Sequence, residues 1–269
     1  MKLIPLGTNG MCSSYDRHTM SFLVLGDTEE ALLLDAGSGV ARLYEPRIQE
    51  ILQQYTRLAV LLTHYHLDHI IGLVPLFEAW ENGPVHIFAP EPPLVDGNSK
   101  DLPSLIRPPF FGRTFEEYPY AVTISPYGNS QTIQSLDIGW TTIQLRRQQH
   151  NGGSAGIRVG DSFAYCTDTA CQAETIDFVR GVKLLIHEVW LYGEEAVLKA
   201  DELSGHTSDE QALQIVKEAQ VPNFMPVHHH PSWDTPSLQQ KIAGLKIRLG
   251  TSNLIWPEEG IDCGNCLMD

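Results

Sequence analysis

Leu58–Gly72, LAVLLTHYHLDHIIG, runs an apolar stretch straight into His64-x-His66-x-Asp68-His69. The segment Leu58–Leu62 reads as a buried strand. In an extended chain, side chains two residues apart point to the same side, so His64 and His66 can grip one metal ion together. The turn that follows lets Asp68 and His69 swing toward a second ion close by. These four N and O donors, with no cysteine among them, suit zinc, manganese or iron rather than a closed thiolate zinc structure. One histidine on a loop would read as a solvated polar residue. This cluster behind an apolar strand reads as a metal site.

Upstream, the chain opens with strands over Lys2–Leu6, Ser21–Leu25 and Ala31–Asp35, the first two separated by the turn Gly7-Thr-Asn-Gly10. A helix is expected across 44–55 and another in LVPLFEAW (73–80). Residues 90–127 differ in character: Pro90, Pro92, Pro93, Pro103, Pro108, Pro109, Pro119 and Pro126 alternate with Phe110, Phe111, Phe115, Tyr118 and Tyr120. That proline density excludes a regular helix or central strand for most of the stretch. Its rings must pack on the body of the domain, or else serve as a lid or dimer contact. Beyond it come short strands in TIQSLDIG, WTTIQLRR, AGIRVG, SFAYCTD and KLLIHEVW, then helices near 208–219 and 236–247. Strands and helices mixed in both halves, with no repeat, indicate one α/β domain over 1–269.

The 269 residues include 33 acids against 18 lysines and arginines, a net charge of −15 with no basic run. Phosphate backbones are held by basic side chains, so a long polyanion such as tRNA would meet a repulsive surface and no large nucleic acid is expected as a partner. A small anionic ester remains compatible, because two divalent ions would bring about four positive charges into the site. No run approaches the roughly 18–20 apolar residues that cross a membrane. The opening MKLIPLGTNGMCSS is a strand and turn rather than a secretory signal, so the expected location is cytoplasmic. The five cysteines (12, 166, 171, 263 and 266) then need no disulfide framework. Cys263-Gly-Asn-Cys266 reads as a reduced tail rather than a redox pair or half a zinc clip.

A two-metal site needs three further ligands, each at a strand end. His150 follows WTTIQLRR and precedes a Gly-rich turn, Asp168 ends FAYCTDT, and His228 follows FMPV. The motif with its leading Thr63 and trailing Gly72, together with LGTNG, LLLDAGSG, HNGGSAGIRV, YCTDT, LLIHE, GHTSDEQA and VHHHP, resembles the metallo-β-lactamase-fold hydrolases, in their ribonuclease Z-like, phosphodiesterase-type branch. The resemblance implies an αββα sandwich of two mixed sheets flanked by helices. It also implies one ion held by His64, His66 and His150, a second held by Asp68, His69 and His228, and Asp168 bridging the two. His229 and His230 compete with His228, which follows its strand most directly. Zinc is the expected metal, with manganese or iron as alternatives, and the family makes a homodimer an expectation too.

The resemblance further marks His206 and Glu188 as catalytic residues beside the metals. His206 precedes Thr207-x-x-Glu210, which reads as a capping box opening a helix; the positive end of that helix would disfavour the protonated imidazole. Glu188 alternates with His187 along its strand, so only one of the two faces the site, and a carboxylate there would orient His206. Asp35 reads as a hydrogen-bonding support below the metals. The expected chemistry is attack on a phosphodiester by a metal-bridging hydroxide that Asp68 orients, with His206 protonating the leaving oxygen. The expected substrate is a small diester such as a cyclic nucleotide. Ribonuclease Z proper carries a long tRNA-gripping arm between its third histidine and its bridging aspartate, whereas only Asn151–Thr167 lie there in this chain. Thioester hydrolysis of the glyoxalase II type, and a non-catalytic binding module on the same fold, are the remaining alternatives.

Overall fold

The computed structural model describes residues 1–128 and 134–264. Its first sheet is laid down in chain order by β1 (Lys2–Gly7), β2 (Ser21–Leu25), β3 (Glu30–Leu34), β4 (Arg57–Leu61), β5 (Val85–Pro90) and β6 (Val122–Tyr127). The β1–β2 and β2–β3 pairs are antiparallel; β3 to β6 run parallel. The second sheet has the order β13-β12-β11-β10-β9-β8-β7, from β7 (Gln134–Asp137), β8 (Thr142–Gln148), β9 (Ser154–Val159), β10 (Phe163–Cys166), β11 (Leu184–Glu188), β12 (Asn223–Val227) and β13 (Asn253–Leu254). There β10 to β13 are parallel and β7 to β10 antiparallel.

Strand alternation builds three apolar layers. Phe22, Val24, Leu32, Leu34 and Leu61 face Ile143, Ile157, Tyr165, Ile186 and Met225 between the sheets. On the outer side of the first sheet, Leu23, Leu33 and Val60 meet α1 (Pro46–Leu52) and α3 (Leu73–Ala79) through Ile48, Leu52, Leu76 and Phe77. On the outer side of the second, Ala164, Leu185 and Phe224 meet α4 (Ala173–Val179), α5 (Asp209–Ala219) and α6 (Thr235–Arg248). The successive residues 31–34 alternate between the helix side and the inter-sheet side, as the twofold period of a strand requires. This is the αββα sandwich of two mixed sheets that the motifs imply.

Several boundaries move. The helix expected over 44–55 is a 3-10 turn, Ser38–Tyr44, followed by α1, whose Pro46 takes the first turn, where a missing N–H costs nothing. Within 90–127 the chain forms 3-10 turns at Ser99–Ser104 and Phe115–Glu117 and then β6 at the sheet edge, where Pro126 needs no outer hydrogen bond. Phe115 and Tyr118 are buried against Phe77 on the outer face of the first sheet, whereas Phe110 is 77% exposed. Among the described residues no helix is long and apolar enough to cross a membrane. Cys266, half of the C-x-x-C pair, lies outside the described residues.

The strand directions place the site. Because β1, β3 and β4 point one way in the first sheet, and β8, β10, β11 and β12 share a direction in the second, their carboxyl ends gather functional loops from both sheets.

Candidate metal centre

The motif leaves β4, passes through Thr63–Tyr65 and enters the short helix α2 (Leu67–Ile70), whose first turn carries Asp68 and His69. The rings of His64 and His66 lie 4.6 Å apart, and those of His64 and His69 4.3 Å. His150 arrives just after β8, Asp168 two residues after β10, and His228 directly after β12. All seven residues expected as ligands converge. One donor atom from each of His64, His66, His150 and Asp168 lies within 4.8 Å of the others, and the same holds for Asp68, His69 and His228.

Asp168 sits between the two groups. Its Oδ1 is 3.3 Å from His150 Nε2 and 3.8 Å from His64 Nε2, while its Oδ2 is 3.0 Å from His69 Nε2 and 3.2 Å from His228 Nε2. Asp68 Oδ2 is 3.5 Å from His69 Nε2 and 3.4 Å from His228 Nε2.

The donor set fits divalent ions on a specific observation. The Nε2 atoms of His64, His69 and His228 are buried and make no hydrogen bond, a costly state for a polar atom unless something else satisfies it. In His228 both ring nitrogens are without a hydrogen bond, whereas in His64, His69 and His150 the partner of Nδ1 shows which nitrogen is turned to the cluster. His69 Nδ1 is 2.8 Å from Asp35 Oδ2, and His150 Nδ1 is 2.8 Å from the Gly205 carbonyl; both acceptors take an N–H. Thr63 Oγ1 lies 3.0 Å from each Asp35 oxygen and gives its proton there, so it accepts from His64 Nδ1 at 3.0 Å. In each of these three rings the proton is drawn to Nδ1 and the Nε2 lone pair is turned to the cluster, as metal-binding histidines require. His66 Nδ1 and His150 Nε2, 3.1 Å apart, bring a further pair of nitrogens into the same space.

Charge follows the geometry. Burial alone would raise the Asp168 carboxyl, but the imidazoles of His228, His69 and His64 hold it well below the usual carboxylate range. Burial likewise opposes ionisation of Asp68, and His69 and His228 more than offset it. His64 is pushed well down by burial and by its neighbouring histidines. Four of the six non-glycine residues with positive φ among the described residues belong to this cluster or touch it: Met11, Asp35, Asp168 and His228. Backbone held in that sparsely populated region is a mark of functional sites.

Glu188 and His206 stand alongside. Glu188 ends β11, is fully buried, accepts the Thr169 N–H at 2.6 Å and lies 2.8 Å from His206 Nδ1. His187 turns to the other side of the strand, so Glu188 is the one that faces the cluster. The His206 ring is 5.1 Å from that of His150 and 5.6 Å from that of His228. Two expectations for His206 are corrected. The capping box is Ser208/Gln211, one residue later than Thr207/Glu210, because the Thr207 hydroxyl donates to the Thr169 carbonyl instead. The His206 pKa is raised rather than lowered: burial works against the charge, but the Glu188 carboxylate in direct contact, with Asp168 nearby, outweighs it.

Three contributors carry no local sequence signal. The Met11 N–H donates to Asp68 Oδ2 at 2.7 Å. Gly10 lies so close to His228 that a Cβ there would be 2.4 Å from its ring. Trp190 packs on His206. Gly10 closes the LGTNG turn, Met11 follows it, and Trp190 stands two residues beyond Glu188.

The family profile described as Beta-lactamase superfamily domain matches residues 30–229, which span the motif and every clustered residue. The chain belongs to the β-lactamase superfamily. Like the metal-dependent hydrolases of that superfamily, it carries a His/Asp cluster suited to divalent ions. Relatives include ribonuclease Z from Pyrococcus horikoshii, 26% identical over 90% of this chain and 90% of that protein. The metallo-β-lactamase fold protein YhfI from Bacillus subtilis superposes with a TM-score of 0.69 at 21% identity, covering 97% of this chain and 98% of its own. A diphosphatase of the PhnP family superposes with a TM-score of 0.65 at 17% identity, covering 97% and 96%. Among superfamily members, then, ribonuclease Z stands beside proteins of other names, and net charge by itself does not separate a tRNA substrate from a small one.

Proposed function

We propose that this β-lactamase superfamily hydrolase is a phosphodiesterase acting on a small diester such as a cyclic nucleotide. His64, His66 and His150 would hold one divalent ion, Asp68, His69 and His228 a second, and Asp168 both; zinc suits this donor set best. Such ions supply polarisation of a phosphoryl group and acidification of a water molecule at neutral pH. The observation that carries the reading is the placement of the Glu188–His206 pair beside a doubled cluster whose two halves share Asp168.

Each residue then has a task. Asp68, steadied by the Met11 N–H, accepts a hydrogen bond from the attacking water and orients it. Glu188 accepts a hydrogen bond from Nδ1–H of the His206 imidazolium, leaving Nε2–H to give its proton to the departing alkoxide and the ring neutral afterwards. A small substrate is favoured because Asn151–Thr167 is consumed by the compact β9–β10 hairpin, with no room for a tRNA-gripping arm.

The test is hydrolysis of 2′,3′- and 3′,5′-cyclic nucleotides and of a chromogenic phosphodiester by protein loaded with Zn²⁺ or Mn²⁺, with metal content measured alongside. Asp68→Ala should lose metal and turnover together. His206→Ala should keep the metal and cleave cyclic nucleotides about 10²–10⁴-fold more slowly. Cleavage of thioesters but of no phosphodiester, in protein holding two ions, would overturn the assignment.

A further inference from the structure

Trp190 lies two residues beyond Glu188 and is 6% exposed. Its indole is stacked on the His206 imidazole, with centroids 4.6 Å apart and planes 17° from parallel. The same indole meets His228 at 5.4 Å and His230 at 4.6 Å. Its Nε1–H donates to Glu202 Oε2 at 3.0 Å, from the 3-10 turn Ala200–Ser204 that leads into Gly205-His206. The main chains are tied as well: the Trp190 N–H donates to the Thr207 carbonyl at 2.9 Å, and Leu191 bridges Ser208.

The geometry has a specific consequence for His206. A single hydrogen bond from Nδ1 to Glu188 fixes where one corner of the ring points but not its plane, and the ring stacked nearest to it is Trp190, at 4.6 Å against 5.6 Å for His228. A flat indole against one face removes the freedom of that plane, and stacked aromatic rings hold such an arrangement more tightly than their area alone would. The indole is itself held against rotation by its bond to Glu202, and the Trp190 main chain is tied to Thr207 beside it. We infer that Trp190, anchored by Glu202, is the positioning residue for His206: it sets the plane of the imidazole so that Nε2 faces the oxygen leaving phosphorus. This rests on His206 being the proton donor proposed above. Trp190 itself touches no reacting atom and acts only through the ring it supports.

The distinguishing readout is the leaving group. Expulsion of a nitrophenolate needs little protonation, whereas an alkoxide needs a great deal, so an ill-placed acid slows alkyl esters selectively. A series of phosphodiesters with leaving groups from nitrophenol to methanol would be run on the Zn²⁺-loaded protein, with metal content confirmed for each variant. His206→Ala should lose about a hundredfold or more on alkyl esters and far less on nitrophenyl esters. Trp190→Leu should reproduce that tilt at about ten- to a hundredfold, the scale on which misplacing a catalytic group slows a reaction. Trp190→Phe, which keeps a ring to stack, should recover most of the loss, and Glu202→Ala should fall between. In the metal-free protein, the ring protons of His206 should lose the indole's ring-current shift in Trp190→Leu and retain it in Glu202→Ala.

A uniform slowing across the series in Trp190→Leu, with the tilt still present in His206→Ala, would overturn the inference and leave the reaction assignment standing. An unchanged slope in His206→Ala would remove the proton-donor role and the positioning role with it. Should Trp190→Leu fail to fold, Trp190→Phe and Glu202→Ala decide by the same criterion.

Discussion

Asp35 offers the sharpest test of how the fold holds the proposed metal ligands. It is fully buried directly after β3, with φ at 53°. Its Oδ1 accepts the Thr63 N–H at 2.7 Å, and its Oδ2 accepts from His69 Nδ1 at 2.8 Å and from the Tyr165 hydroxyl at 2.9 Å. Asparagine has the same shape and tolerates positive φ, so Asp35→Asn removes a charge and alters hydrogen bonding without changing the packing. If its amide NH₂ faces Thr63, it meets a backbone N–H that cannot reverse its role. If the NH₂ faces His69 and Tyr165, it meets two donors, and the cheapest repair moves the His69 proton from Nδ1 to Nε2. Either way one bond to a charged acceptor is lost, at about 1.5–3 kcal/mol, and one buried donor goes unsatisfied, at about 1–3 kcal/mol. The expected destabilisation is therefore about 2.5–6 kcal/mol. The tautomer shift closes Nε2 to metal, and loss of such a support lowers affinity about 10–100-fold. Urea unfolding of the metal-free protein measures the first figure, and competition with a zinc chelator the second. A loss of stability below about 1 kcal/mol with unchanged zinc affinity would refute the reasoning.

Two further outcomes follow from particular contacts. Gly10→Ala puts a methyl 2.4–2.8 Å from three atoms of the His228 ring; zinc affinity should drop while far-ultraviolet circular dichroism stays native, and a normal chelator titration would show that the ring can yield. Tyr127 is buried with its hydroxyl on the Leu62 carbonyl, and burial together with the Asp35 charge pushes its phenol well above the ordinary range. The unfolded chain releases that proton near pH 10 while the folded chain keeps it, so stability is complete below that pH and falls above it, by up to about 1.4 kcal/mol per pH unit for this group. Unfolding midpoints between pH 9 and 11 should decline less steeply in Tyr127→Phe, and parallel slopes would exclude the tyrosine as a cause.

The sequence alone determined much of this site, for a physical reason. His64, His66, Asp68 and His69 occupy six consecutive residues, so chain geometry alone keeps their donors within a few ångströms. His150, Asp168, Glu188 and His228 each lie at or just beyond the end of a strand. Apolar runs mark such positions even when their partners are distant in the chain. What tertiary structure decided are the features that depend on two segments meeting. Which way His206 titrates depends on the Glu188 carboxylate in contact with it, which comes from β11, 18 residues earlier, and not on the helix that follows it. The capping box shifted by one residue because Thr207 found an acceptor in Thr169, after β10. Gly10, Met11 and Trp190 carry no ligand atom and no periodic pattern. Their roles exist only because the parallel strands of two sheets bring their carboxyl ends to one place, where a backbone N–H reaches Asp68, a missing Cβ admits His228, and an indole lies flat on His206.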